Sequence, residues 1–398
     1  MRVSGLDVHK DSVFCALFDG KKKGAVREFR TFTCSIRELG EYLRSCGVRR
    51  IAMESTGIYW IPVWNILESM GFDLMLVNPY LIRQMPGRKS DVKDAQWIAE
   101  LLYKGMLRGS LVPCPLIREL RTYSRKYRKL QQRLTSVNQE MERTLEMCNI
   151  RLTSLVSNIT GKSVRRVVEA LACGETDPEK LGLLVHGRIR NRHGANVRRS
   201  LEGFVGGHHR FTLSLLLEEA GLLERQCLAC QEQMERICLQ HYPQQIGLLV
   251  THPGIDRLSA MFIIAETGAD MAPFESSGRF SGWTGLRPRN DESAGKYKST
   301  AITKGNRYLR TILVQIAWAA TRTKGSHYRE KYARMAMRKS NRKALIAVAR
   351  KIGTVIWNML AGRQPYNPAL MPVYDPAKLS GKISYHQREI QRLEKILR

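Results

Sequence analysis

The sequence predicts an α/β domain built on a mixed sheet, followed by a long, mostly helical remainder. Three observations carry this expectation. The first hundred residues alternate short apolar strands with amphipathic helices. From Leu116 onward the apolar residues change to alternating steps of three and four, the period of a helical seam. No run of about 18 uncharged apolar residues occurs, so no segment reads as a membrane span.

Taken in order, "MRVSGLDVH" and "SVFCALFDG" read as two strands joined by a short polar turn, and "AVREFRTFT" as a third. "SIRELGEYLRSCG" reads as a helix capped by Ser35 and stopped by Gly47. "RRIAMEST" is a buried strand, "YWIPVWNILESMG" a helix and "FDLMLVN" a strand; "SDVKDAQWIAELLYKG" is a helix entered through Ser90. Antiparallel-looking strands followed by alternating helix and strand make a mixed sheet. A long helix then runs from Leu116 to Cys148, with Leu120, Tyr127, Leu130, Val137, Met141 and Leu145 along its seam. A second heptad helix covers about 212–240 and would pair with the first antiparallel or with a second copy of the chain. From Leu248, a Pro-Gly turn leads into an apolar helix, an arrangement able to offer backbone amides to a phosphate. A short helix, a Gly/Pro/Ser-rich cationic loop and two more apolar helices follow. One of these, "ALIAVARKIGTVIWNMLAG", is interrupted by Arg350 and Lys351 and reads as a packed helix. The expected divisions are 1–110, 111–245, 246–363 and a basic, weakly helical tail at 364–398.

Charge narrows the partner. Sixty-five Lys and Arg against 36 Asp and Glu leave +29, with a pI near 10.1. Each phosphate neutralised by a cation releases counterions, so the expected partner is a nucleic acid. Candidate contacts are Arg125, Arg128 and Lys129 on the long helix, then Arg188, Arg190, Arg192, Arg198 and Arg199 in the stretch "VHGRIRNRHGANVRRS". A solvated loop is the plainer reading of that stretch. The amino terminus lacks a signal-peptide core, and nine scattered cysteines suit a reducing compartment, so the expected location is cytosolic. Cys227, Cys230, Cys238 and His241 have a spacing that could ligate zinc. The helical period accounts for more of the segment: Ala220, Leu223, Cys227, Cys230, Met234 and Ile237 form one seam, with Cys238 pointing away from it.

The acids are more specific. Asp91 and Asp94 lie three residues apart, so on a helix both carboxylates leave one face and need a cation between them. Arg88, Lys89 and Lys93 would serve, and so would a divalent metal. Asp7 and Glu54 interrupt otherwise apolar strands, where carboxylates are costly without compensation. If those strands are neighbours and the helix from Ser90 covers their ends, four hard oxygen-donor groups converge, a set suited to Mg2+ or Mn2+. Two such ions can clamp the attacking and leaving oxygens of a phosphodiester.

"GLDVHK", "AMESTGIYW", "VNP", "KSDVKDA", "PGID", "GLRPRNDESAG" and "ITKGNRYLR", in that order, resemble the insertion-sequence family one-ten transposases, akin to pilin-inversion invertases. The likeness spans nearly the whole chain. It implies an RNase H-like, RuvC-like amino-terminal domain, long coiled-coil helices and a mostly helical carboxyl-terminal transposase domain. It further implies that Asp7, Glu54, Asp91 and Asp94 are the metal ligands and that Ser293 is a nucleophile. Also implied are DNA strand exchange between element ends and target, a structured guide RNA, and a homodimer that assembles further in a prokaryotic cytoplasm. Lys296, Lys298, Lys304, Arg307 and Arg310 surround the serine in sequence and can stabilise charge at phosphorus. Ala294 separates Ser293 from Gly295, where the family often has Ser directly before Gly, so Ser299, Ser276 and Ser277 remain alternatives. Two other readings stay open: a RuvC-like nuclease that activates water, and a non-catalytic nucleic-acid-binding scaffold.

Overall fold

The computed structural model describes the chain except for residues 1, 22–23, 55–56, 79–90, 157, 289–290, 294–295, 300, 371–375 and 398. At positions 91, 291–293, 296–299, 376–379, 382 and 397 it describes the backbone alone. Two compact units divide at Pro113 and Cys114.

In the first unit, β1 (Arg2–Val8), β2 (Ser12–Phe18) and β3 (Arg27–Arg30) form an antiparallel meander. Helix α1 (Thr33–Ser45) crosses to β4 (Val48–Glu54), and α2 (Trp60–Ser69) crosses to β5 (Asp73–Val77). Strands β4 and β5 run parallel to β1, giving the order β3-β2-β1-β4-β5. This is the mixed sheet that the succession of strands and helices in the sequence predicts. Helix α1 starts two residues before the expected Ser35 cap, after Phe32 and with no side-chain cap, while Gly47 at φ +72° follows its end. Alternation along the strands splits the core. Leu6, Val8, Ile51, Met53 and Leu76 pack with α1 and α2 on one face. Val3, Ala16, Phe18, Ala52 and Val77 pack on the other face against α3 (Asp91–Tyr103). The expected helix start at Ser90 lies outside the described residues.

Among the described residues, the second unit is helical apart from one small hairpin. Helices α4 (Pro115–Met147), α5 (Lys162–Ala172), α6 (Pro178–Leu184), α7 (Gly187–His193), α8 (Ala195–Arg199) and α9 (Gly207–His241) come first. The longest two, α4 and α9, pack along each other through Leu130, Val137, Met141, Leu145, Leu213, Leu216, Ala220, Leu223 and Cys227. They run antiparallel: Cys148 O near the end of α4 accepts from Phe204 N just before α9, at 2.9 Å. The heptad seam is thus used within one chain, so it supplies no argument for self-association. Cys227 and Cys238 are buried on one unbroken helix. Cys238, which the heptad placed away from the seam, is covered because α10 (Pro243–Val250) and α11 (Arg257–Thr267) pack on the end of α9. Burial pushes its thiol up to about 12, the behaviour of a core residue.

The basic stretch, read in sequence as a candidate phosphate contact with a solvated loop as the plainer alternative, forms the two short helices α7 and α8. Beyond α11, the chain forms α12 (Ser277–Trp283), the hairpin β6 (Asp291–Ser293) and β7 (Lys296–Ser299), then α13 (Arg307–Arg322), α14 (His327–Ala336), α15 (Asn341–Gly362) and α16 (Pro376–Leu397). Helix α15 is long and apolar enough to cross a membrane by composition, yet it packs Val348, Ile352, Ile356 and Leu360 into the unit's interior. Cys114–Arg398 is the second of the two units, and within it α4 contacts both α9 and α11.

Candidate active site

Strand pairing decides where the acids fall. Parallel pairing sets Leu6 opposite Met53, so the next residues, Asp7 and Glu54, stand side by side at the carboxyl ends of β1 and β4. Alternation puts Asp7 on the face of Val3 and Gly5, and Glu54 on the face of Ala52. That is the face covered by α3. A β-carbon on Gly5 would overlap the backbone of Ala95 and Ala99, so glycine is what lets α3 lie this close to β1.

The direction of α3 completes the placement. Its last residue, Tyr103, meets Phe18 edge-on at 5.3 Å between ring centroids. Phe18 pairs with Val3 near the start of β1. Helix α3 therefore runs antiparallel to β1, and its first turn, from Asp91 to Asp94, lies toward the carboxyl ends that carry Asp7 and Glu54. Asp7 is only 6% exposed, whereas Glu54 and Asp94 are half-buried. His9 Nε2 lies 3.2 Å from Asp7 Oδ2, a partner that the sequence reading did not single out. His9 is two residues from Asp7 and directly follows the end of β1, so its nearness to Asp7 in sequence was the signal for it.

Carboxylates at the ends of neighbouring strands repel unless a cation joins them. All candidate donors here are carboxylate oxygens, the hard ligands that Mg2+ and Mn2+ prefer over softer metals. Among the described residues, no three His, Cys, Asp or Glu side chains form a ready metal cluster; the side chain of Asp91 lies outside that description.

Ser293 ends β6 and its backbone pairs with Lys296 of β7, so the expected loop contains a short antiparallel hairpin, of which residues 294–295 lie outside the described residues. Its stem is pinned. Pro288 bridges Ile302, Thr303 N donates to Arg287 O at 2.9 Å, and Asn306 N donates to Trp283 O at 2.8 Å. Gly285 and Gly305 let the two stem strands touch backbone to backbone, with no room for a β-carbon at Gly305. Lys296, Lys298 and Ser299 lie on β7, and Lys304 is exposed in the returning stem. Arg307 is exposed and donates to Tyr308 Oη at 3.0 Å, and Arg310 is half-buried on α13. Of the alternative serines, Ser276 accepts from Arg279 N at 3.3 Å as the cap of α12, and Ser277 opens that helix. Asp256 accepts from Ser259 N at 2.7 Å, so the chain's own carboxylate caps the helix start that the sequence offered to a phosphate.

The arginines of α4 have partners within the fold. Arg125 makes two 3.0 Å bonds to the carboxylate of Glu266, which is 1% exposed. Arg121 donates to Glu266 O at 2.7 Å, and Asn306 Nδ2 reaches Glu266 Oε2 at 2.7 Å. Arg128 donates to Tyr308 O at 3.3 Å, and Arg125 stacks over the Tyr308 ring at 4.3 Å. Arg125 and Arg128 are thus engaged within the fold; Lys129 beside them is exposed. Glu266 was missed as a functional or structural centre. Its signal was a lone acid inside the apolar run "SAMFIIAETG". By contrast, Arg188, Arg190, Arg192, Arg198 and Arg199 are all exposed, with Arg198 shared between Glu179 and Glu202 at 3.4 and 3.6 Å.

Comparison with known proteins adds to this geometry. Residues 4–150 match a family model described as a transposase, and residues 247–333 match the model of the "Transposase IS116/IS110/IS902 family". A transposase for insertion sequence element IS1111A from Coxiella burnetii is 31% identical over 122 residues, covering 29% of this chain and 32% of that protein. A probable family 20 transposase from Pseudomonas aeruginosa is 29% identical over 128 residues, covering 31% of this chain and 38% of that one. The matches thus span about a third of those relatives' lengths. Among solved structures, Thermus thermophilus RuvC in complex with a Holliday junction substrate matches at 13% identity and a TM-score of 0.23, over 28% of this chain and 99% of that one.

Proposed function

Because the chain belongs to the IS116/IS110/IS902 family of transposases, we propose that it is a DNA strand-exchange enzyme using a carboxylate-held divalent metal and a serine nucleophile. The observation that carries this reading is the adjacency of Asp7 and Glu54 on the face and at the end where α3 begins with Asp91 and Asp94. Asp7, Glu54, Asp91 and Asp94 would hold Mg2+ or Mn2+. Bound there, the ion supplies Lewis-acid activation of a phosphodiester and neutralises charge that develops on its oxygens.

The remaining steps belong to the chain. Ser293 Oγ attacks phosphorus and passes its proton to solvent water, the bond from phosphorus to the leaving sugar oxygen breaks, and that oxygen takes a proton from water. A serine phosphodiester results, and attack by the hydroxyl of a second strand reverses the step and joins new partners. Lys296, Lys298, Lys304, Arg307 and Arg310 stabilise the charge at phosphorus. His9 orients the Asp7 carboxylate through the 3.2 Å contact. The exposed arginines of α7 and α8 and Lys129 take phosphates of DNA or of a structured guide RNA. Two or more copies of the chain bring the two DNAs together.

The test is a denaturing gel of the full chain with Mg2+, labelled element-end DNA and RNA transcribed from the element's flanks. Wild type is expected to give a protein-DNA adduct that Ser293→Ala abolishes. Asp7→Asn and Glu54→Gln are expected to lose cleavage while keeping nucleic-acid affinity. Metal-dependent cleavage without any adduct would replace the serine mechanism with water activation, and full activity in both acid variants would remove the metal site.

A further inference from the structure

Between Arg322 and Lys351 the chain carries eleven Lys or Arg and a single acid, Glu330. Helices α14 and α15 pack against each other in this segment, and their contact gathers the charge. Lys331 on α14 is half-buried, and Arg350 and Lys351 of α15 act on it electrostatically along with Arg334 of its own helix. Among the described residues, no ion pair joins Lys331, Arg350 or Lys351 to an acid, although Arg165, Arg198, Arg257 and Arg279 all have one. Burial first, and then these neighbouring cations, pull the Lys331 ammonium below its ordinary proton affinity. A surface that only needed solubility would space its cations apart, because crowding them costs stability.

Aromatic groups stand in the same cationic segment, beside Arg322. Trp318 of α13 is 43% exposed, stacks under Arg322 at 4.5 Å, and meets Tyr332, the neighbour of Lys331, edge-on at 6.4 Å. Cations beside accessible aromatic faces are the combination that holds single-stranded nucleic acid, the charge following phosphates and the rings taking bases. An anionic membrane is a poorer fit, since membrane-surface helices expose a broad apolar face, whereas α14 exposes Arg329 and Glu330 and buries Tyr328.

We propose that the α14–α15 face centred on Lys331, Arg350 and Lys351 is a phosphodiester-binding surface for single-stranded DNA or RNA. It goes beyond the strand-exchange reading and does not need the serine hairpin or the acids to be active. The repulsion built into the face is offset when a strand's phosphates enter it.

The test uses the full chain in EDTA, so that binding is read without cleavage. Fluorescence anisotropy follows a labelled 20-nucleotide DNA strand and the matching RNA over a NaCl series, for wild type, Lys331→Gln with Lys351→Gln, and Arg350→Gln alone. The salt slope is expected to fall by about 1.4 in the double variant and about 0.7 in the single one, since each neutralised phosphate of a single strand contributes roughly 0.7. Melting temperature without nucleic acid is expected to hold or rise, because repulsion has been relieved. A loss confined to the DNA or the RNA arm identifies which strand the face takes. Unchanged slopes in both arms overturn the proposal, as does wild-type binding to phosphatidylserine vesicles that the variants lose while the slopes stay constant. If the double variant fails to fold, the exposed Arg350→Gln decides alone. A chain that binds normally yet forms no adduct would count against the strand-exchange mechanism and leave this surface standing.

Discussion

Two arginine-rich segments of similar sequence character end in opposite environments. On α4, Arg121 and Arg125 turn inward to Glu266, and Arg128 reaches the Tyr308 carbonyl. On α7 and α8, Arg188, Arg190, Arg192 and Arg199 stay exposed, with no ion pair among the described residues. Residue type and spacing do not separate the two sets. What separates them is that α11 presents a buried acid to α4, while α7 and α8 bury little beyond Val197. A buried charge must be paired within the fold, whereas an exposed one remains available to phosphate.

The most stringent challenge to this contrast is to remove the acid. Glu266→Ala leaves Arg121 and Arg125 partly buried without their carboxylate, and is expected to cost about 3–5 kcal/mol. Urea unfolding measures it, and an unchanged midpoint would mean the arginines are as free as those of α7. The same rule extends to a group that is kept neutral rather than paired. Burial holds His252 down to about 4, and its ring shares a 2.7 Å hydrogen bond with Tyr328 Oη. Its folded value lies below the ordinary 6.5, so the unfolded chain binds the extra proton first as pH falls. Its stabilising contribution is complete above about pH 6.5 and declines toward pH 4, by about 3 kcal/mol in all. Thermal melts across that window are expected to fall more steeply for wild type than for His252→Gln, and parallel curves would assign the acid sensitivity to other groups.

The smallest effect on stability is expected at the exposed end. Replacing Arg188, Arg190 and Arg192 together by Gln should change unfolding by less than about 0.5 kcal/mol, as surface substitutions usually do. The same variant should weaken duplex DNA binding and lower the salt slope by roughly 0.9 for each phosphate it no longer neutralises. Reduced stability with an unchanged slope would reverse the contrast and make α7 a structural element.

Much of the first unit was legible because its signals are local. Asp7 and Glu54 interrupt strands that the alternation of Leu6, Val8, Ala52 and Met53 makes evident, and Asp91 with Asp94 opens a helix of clear period. The environment of Ser293 was less legible. A Gly-containing loop and a short strand pair read alike in sequence, since the difference lies in the pairing of Ser293 with Lys296 and in the stem contact of Gly285 with Gly305. Cys238 illustrates the same limit on α9: a single heptad seam shows one covered face, and only the return of α10 and α11 reveals a second.

Residue order alone dictates the succession of strands and helices, the heptad seams, the basic excess and the acids placed where an apolar strand should continue. Those features depend on period and residue type, which act over a few neighbours along the chain. Tertiary packing was needed to set Asp7 abreast of Glu54, to pair α4 with α9, and to turn Arg125 toward Glu266 while Arg188 faces water. These depend on which distant surfaces meet, because burial and charge pairing are properties of the contact and not of either segment alone.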